Sequence, residues 1–181
     1  MEKAKDLIAL LPMDKMTKMP VQTAVAQLNV LSKTVETLRT QMIALAENLP
    51  EYPVVIDMNG VGPTPASQLI AEIGDVTRFS HRGSLTAFAG VDPGAKQSGT
   101  MQRKSNRTSK AGTPHLRRAL FQVVSGLLMR APDDRVYNFM DKKRSEGKPY
   151  YVYMTAGANK FLRIYYGRVK EYLASLPKEQ D

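Results

Sequence analysis

Cysteine is absent from the 181-residue sequence, so disulfides, a thiolate metal site and a cysteine nucleophile are all excluded. Histidine is nearly absent: with only His81 and His115, an imidazole metal cluster has too few members. No apolar run reaches transmembrane length and no charged-apolar-small signal pattern opens the chain, which leads to the expectation of a soluble, cytoplasmic protein with no membrane partner. No group of carboxylates has the look of a metal site. The Asp133-Asp134 pair falls where acids cap a helix and suit its macrodipole, and is assigned to capping rather than catalysis. Strand-like alternation and internal repeats are missing as well, which leaves an all-α fold.

The most informative deficit is local. Between Lys96 and Arg118 there is no Asp or Glu, while Lys96, Arg103, Lys104, Arg107, Lys110, Arg117 and Arg118 are all basic. A stretch so charged repels itself unless a polyanion is near. The chain as a whole carries a formal net charge of +9, which favours a nucleic-acid or anionic-surface partner and disfavours a cationic substrate. Hydroxyls at Ser98, Thr100, Ser105, Thr108 and Ser109 lie in the same stretch.

The remaining sequence is punctuated for helices. Residues 1–11 place Leu7, Ile8 and Leu11 on one face of a short helix, and the Met/Lys-rich segment up to Pro20 follows as a linker. Val21, Ala24, Leu28, Leu31, Val35, Leu38, Met42, Leu45 and Leu49 then alternate spacings of three and four, the seam of a long coiled-coil helix that implies a homo-oligomer. Charged residues are few at the flanking positions, so they give little help in choosing partner or orientation. The alternative is that this helix packs on its own globular domain.

After Pro50 a small helical domain begins. An apolar segment leads to Asn59-Gly60-Val61-Gly62-Pro63 and a helix ending at Gly74, so residues 53–74 read as a helix-hairpin-helix-like unit. Such a unit holds a DNA phosphate near Gly60 and Gly62; an ordinary helix turn in a helical core is the competing interpretation. Ser80 is placed as N-cap of a short helix that stops at Gly90. The serine/basic loop spans 90–113, Thr113 is placed as N-cap and Pro114 as the first residue of a central core helix, and further helices run to about residue 176. The aromatic residues among the basic ones of the last helix are assigned mainly to packing, with base stacking as the alternative. The domain division is thus 1–50, the N-terminal helix, linker and coiled coil, and 51–181, the helical domain.

A serine that attacks a DNA phosphate needs a base or metal to take its proton, cations to balance charge and a rigid frame. The loop offers cations, but the nearest acid is Asp92 and spacing alone does not choose among its serines.

Taken in order, GVGPTPASQLIAEIGD, FSHRGSLTAFAGVDPGAKQSGT and TSKAGTPHLRRALFQ resemble the C-terminal transposase domain of insertion-sequence transposases of the IS110 and IS116 kind, relatives of the Piv-type DNA invertases. The resemblance is close over residues 54–124 and looser to residue 168. It implies an RNA-guided DNA recombinase whose N-terminal RNase H-like domain supplies acidic ligands for Mg²⁺ and whose C-terminal serine, in a GxxPxxxQSG pattern, attacks DNA. Gly90, Pro93, Gln97, Ser98 and Gly99 match that pattern, so the resemblance implies Ser98 as nucleophile. DNA and a guide (bridge) RNA are the implied partners, in a prokaryotic cytoplasm at the nucleoid. The basic residues from Lys96 to Arg118, with Gly60 and Gly62, become the expected nucleic-acid contacts. By that resemblance, the chain is expected to lack the RNase H-like domain. It is therefore expected to hold no metal itself and, alone, to bind nucleic acid without cleaving it; the alternative is a non-catalytic binding and dimerisation module.

Overall fold

The computed structural model describes residues 15–92, 97–98, 101–102, 108, 110–130 and 133–177. The expected first helix at residues 1–11 lies outside them. Helix α1 (Lys15–Ala46) begins earlier than the linker assignment anticipated and carries Pro20 inside it. The physical reason is that Pro20 deletes one backbone bond near the helix start, while the Met and Lys residues before it and the Gln and Ala residues after it favour helix. Thr23, Thr34, Thr37 and Thr40 return their hydroxyls to carbonyls one turn back, so these residues do not interrupt α1. Within the chain, Leu28, Leu31, Val35, Leu38 and Leu45 of the apolar stripe are exposed.

Residues 1–42 and 43–181 form two compact units. The second is built from α2 (Tyr52–Ile56), α3 (Pro63–Ile73), a 3₁₀ turn (Val76–Arg78), α4 (Arg82–Ala89), α5 (Pro114–Arg130), α6 (Arg135–Ser145) and α7 (Tyr150–Ser175). The only β strands among the described residues are a pair of two-residue strands, β1 (Gln97–Ser98) and β2 (Met101–Gln102), antiparallel with Ser98 opposite Met101. The fold class is all-α, as the missing alternation implied.

Helix α5 is the centre, packed against α3 on one side and α7 on the other. Leu116, Leu120, Val123, Val124 and Leu127 recur at three- and four-residue spacing and are fully buried. Helix α7 contributes Met154, Phe161, Leu162 and Tyr165 to the same core. The punctuation holds at several ends: Gly74 and Gly90 take positive φ where α3 and α4 stop, and the Asp134 carboxylate accepts from the amides of Val136 and Tyr137 to cap α6. The cap of α4 is one residue later than Ser80. The His81 imidazole Nδ1 accepts from the amides of Gly83 and Ser84, and Ser80 turns its hydroxyl to Ser84. A ring nitrogen is an acceptor like any capping oxygen, but histidine is not among the usual cap residues, which is why the neighbouring serine was favoured. Around the 3₁₀ turn, the hydroxyl and then the amide of Thr77 bond the Asp75 carboxyl and hold its pKa below the usual range.

Tyr165 yields a pH prediction. Burial, and secondarily the charge of Glu51, push its phenol well above the ordinary value. The folded chain therefore keeps a proton that the unfolded chain releases above a pH of about 10, so this stabilising contribution is present below that pH and is lost as pH rises beyond it. Tyr165→Phe should flatten the alkaline limb of a urea-midpoint versus pH curve between about pH 9.5 and 11 relative to wild type. An unchanged limb would show that the phenol ionises without unfolding the core.

Candidate nucleic-acid interface

The basic loop leaves the core at the end of α4 and returns at the start of α5, and its two ends are fastened together. The Gly90 carbonyl accepts from the Lys110 amide at 3.3 Å, and the Phe88 carbonyl from the Thr113 amide at 3.1 Å. Gly90 sits at φ 64°, and a Cβ there would lie 2.7 Å from the Gly112 nitrogen and 2.8 Å from Arg117 Nη1. At Gly112 a Cβ would overlap the Phe88 carbonyl oxygen. Two backbones thus cross with no room for a side chain on either, the situation for which glycine is required.

Arg117 locks this neck. Its Nη1 donates to the carbonyls of Ala89, at 3.2 Å, and Gly112, at 2.8 Å, tying the end of α4 to the start of α5. Phe88, whose carbonyl takes part in the crossing, is itself fixed: the Arg78 guanidinium lies over its ring at 4.8 Å and over Phe79 at 4.5 Å. Pro114 opens α5 as expected. The Thr113 hydroxyl, in place of a role confined to its own helix, donates to Glu72 of α3 at 3.0 Å. Lys110 has a positive φ of 53°, the one non-glycine residue among those described to do so. Such backbone costs roughly 1–2 kcal/mol and persists where its surroundings over-determine it, as the neck does here.

Beyond the neck, Ser98 lies in β1. Lys96, Arg103, Lys104 and Arg107 lie outside the described residues, as do Pro93 and Gly99 of the serine pattern. Among the described residues no group of three or more His, Cys, Asp or Glu could hold a metal ion.

The second part of the interface is the glycine turn. The turn at Asn59-Gly60-Val61-Gly62 and α3 lie against α5, with α2 against α3 and α7: a Cβ on Gly60 would come within 2.6 Å of Leu127 Cγ and 2.9 Å of the Val123 carbonyl oxygen. Gly62 precedes the helix in extended backbone, with no side chain capping the helix start. Pro63 and Pro65 both lack an N–H, so the first turn of α3 offers fewer free donors than a helix start usually does. The charges therefore come from α5. Gly60, Gly62, Arg118 and Arg130 line one groove together with Tyr150 and Tyr151 at the start of α7.

The sequence-derived site residues thus fall into separate places. Gly60, Gly62 and Arg118 share the groove. Lys110 and Arg117 belong to the loop neck, where Arg117 is half-buried with two carbonyl partners and Arg118, one residue on, is exposed. Sequence reasoning passed over Gly112, Arg130 and the two tyrosines. Nothing near Gly112 signals a crossing with residues more than twenty positions away. The interleaving of aromatic and basic residues in α7 was a signal for the tyrosines, but it reads as core packing, which is what Tyr165 and Tyr166 in fact do.

Residues 53–140 match the model of the Transposase IS116/IS110/IS902 family. The insertion element IS110 uncharacterized 43.6 kDa protein of Streptomyces coelicolor is 34% identical over 111 residues, which cover 61% of this chain and 27% of that protein. The chain thus spans a little over a quarter of the relative it matches. The match includes the glycine turn, the whole basic loop with its Gly90 and Gly112 neck, and α5, and on these grounds residues 53–140 are a domain of the IS116/IS110/IS902 transposase family.

Proposed function

We propose that this domain takes part in DNA transposition or site-specific recombination of an insertion sequence, with Ser98 as the nucleophile on a DNA phosphate. The observation that supports this most is the neck: Gly90, Gly112 and Arg117 fasten together the two ends of the basic loop that carries the serine. A serine hydroxyl becomes an effective nucleophile when it is held in line with the phosphorus and the developing charge is met by cations. Ser98 Oγ loses its proton and bonds to phosphorus, and the displaced sugar oxygen leaves and is protonated, giving a serine-linked DNA ester. Lys96, Arg103, Lys104, Arg107 and Lys110 contact the phosphates on either side, with Gly60, Gly62 and Arg118 on a second nucleic-acid segment.

The described residues bring together no ligand set for a divalent ion. On the family resemblance, Mg²⁺ and its acidic ligands are assigned to the portion of the longer relative that this chain does not span, and guide RNA is a partner of that larger assembly. The exposed apolar stripe of α1 supports self-association as a coiled coil, because leucines at a and d positions gain stability by leaving water. The setting is the prokaryotic cytoplasm at the nucleoid.

With the acidic domain supplied in trans together with element-end DNA, guide RNA and Mg²⁺, Ser98→Ala should retain DNA affinity within about twofold and lose the serine-linked adduct and strand transfer altogether, since one hydroxyl adds little to a phosphate-dominated interface. Unchanged strand transfer by the variant would discard the nucleophile and leave a binding module. An adduct formed by the isolated wild-type chain would show that the acidic domain is not needed.

A further inference from the structure

We propose that the groove between the glycine turn, α5 and the start of α7 holds unpaired nucleotides, with Tyr151 stacking on a base and Arg118 and Arg130 facing the flanking phosphates. This rests on the nucleic-acid role above and specifies the strand state of what is bound.

The rings carry the inference. Tyr151 is 74% exposed, although Phe161, Tyr165 and Tyr166 of the same 26-residue helix go to the core. It is not loose: Tyr150 meets it edge-on at 5.3 Å and 80°, and meets Tyr153 in the same way at 5.4 Å and 79°. A buttressed ring that leaves a face to solvent is a stacking surface with little rotamer entropy left to lose. In a duplex the base faces are already stacked on each other, so such a ring has use only where bases are unpaired.

Charge complementarity points the same way. Two arginines and no acid line the groove. The neighbouring carboxylate on α6, Asp134, is occupied, accepting from the amides of Val136 and Tyr137 and from the Asn59 side chain. Gly62 leaves its part of the turn without a side chain, where a Cβ would meet only Pro65 Cδ at 3.9 Å, and this lets a strand approach the backbone closely. Since Pro63 and Pro65 remove amides from the start of α3, the guanidiniums hold the phosphates in place of a helix-end cradle.

The test uses the full chain with fluorescently labelled 12-mers of oligo(dT) and oligo(U) and a 12-base-pair duplex, read by anisotropy at fixed salt. Tyr151→Ala should weaken single-strand binding about tenfold, the effect of one lost base stack, while Tyr151→Phe keeps it and duplex affinity stays within about twofold. Whichever single strand loses more identifies the sugar of the occupant. A strand carrying 5-bromouracil should photocrosslink to Tyr150 or Tyr151, a readout that does not depend on the stability of any variant. Equal losses on duplex and single strands, no loss on either single strand, or crosslinks confined to residues outside the groove would overturn the proposal. Failure of the wild-type chain to bind both duplex and single strands would instead remove the nucleic-acid role on which it rests.

Discussion

Replacing Gly112 by alanine should cost the folded protein about 2–3 kcal/mol, among the largest effects of any single-methyl addition in this chain. The added Cβ falls onto the Phe88 carbonyl oxygen and close to the Gly90 nitrogen, and both are backbone atoms that cannot swing aside as a side-chain end would. Relief requires the two chains to part, which lengthens the bonds from Thr113 to Phe88 and from Lys110 to Gly90 and disturbs the Arg117 bridge. Gly90→Ala should behave alike, because it adds a left-handed backbone penalty to contacts of 2.7 and 2.8 Å. As the two substitutions break the same crossing, the double variant should lose clearly less than the sum of the two. Gly147→Ala is the control: φ is also positive, at 73°, but nothing lies within 4 Å of the added atom, so only the backbone penalty of about 1 kcal/mol remains. Urea midpoints measure these differences, and a protease cutting between residues 91 and 110 reports whether the loop has come loose. Equal midpoints for Gly112→Ala and wild type would mean that the crossing does not hold the loop.

The helices were legible because each depends on neighbours in sequence. Leu116, Leu120, Val123 and Leu127 repeat at helical spacing, Gly74 and Gly90 supply positive φ at helix ends, and Asp134 caps from within its own turn. The family was legible for a related reason: its glycines, prolines and QSG triplet stand in a fixed order along the chain, and the stretch 53–140 carries them. What stayed hidden depends on approach through space. Gly112 matters because Phe88 passes across it, and no local pattern encodes that. Arg117 and Arg118 are indistinguishable as letters, yet one helical step of about 100° sends the first into the neck and the second into the groove. Tyr151 and Tyr165 both fit a packing assignment, and only the ending of the core near the start of α7 separates them. The loop entered as a basic patch with five hydroxyls; the structure adds a closed base to it and sets the second interface apart from it.

That separation has a consequence for how affinity responds to salt. If about five cations of the loop neutralise phosphates on duplex DNA, the logarithm of the affinity should fall with the logarithm of salt at a slope near −4.5, a loss of about five hundredfold between 50 and 200 mM. Arg118→Ala removes one phosphate partner of the single strand in the groove, so with oligo(dT) it should reduce the slope by about 0.7 without changing stability by more than about 0.5 kcal/mol. Arg117→Ala should do the reverse. Its guanidinium is engaged with the Ala89 and Gly112 carbonyls, so its loss leaves the slope unchanged, lowers stability by about 1–3 kcal/mol through two freed acceptors, and raises proteolytic cleavage of the loop. Affinity should still fall in that variant, but by a factor common to all salt concentrations, because a loosened frame adds an ordering cost to binding while the number of phosphate contacts stays the same. Adjacent arginines of equal charge would then separate cleanly into one that meets the nucleic acid and one that holds the loop for it. Two variants with the same slope and the same midpoint would show that the neck and the groove are not distinct in solution.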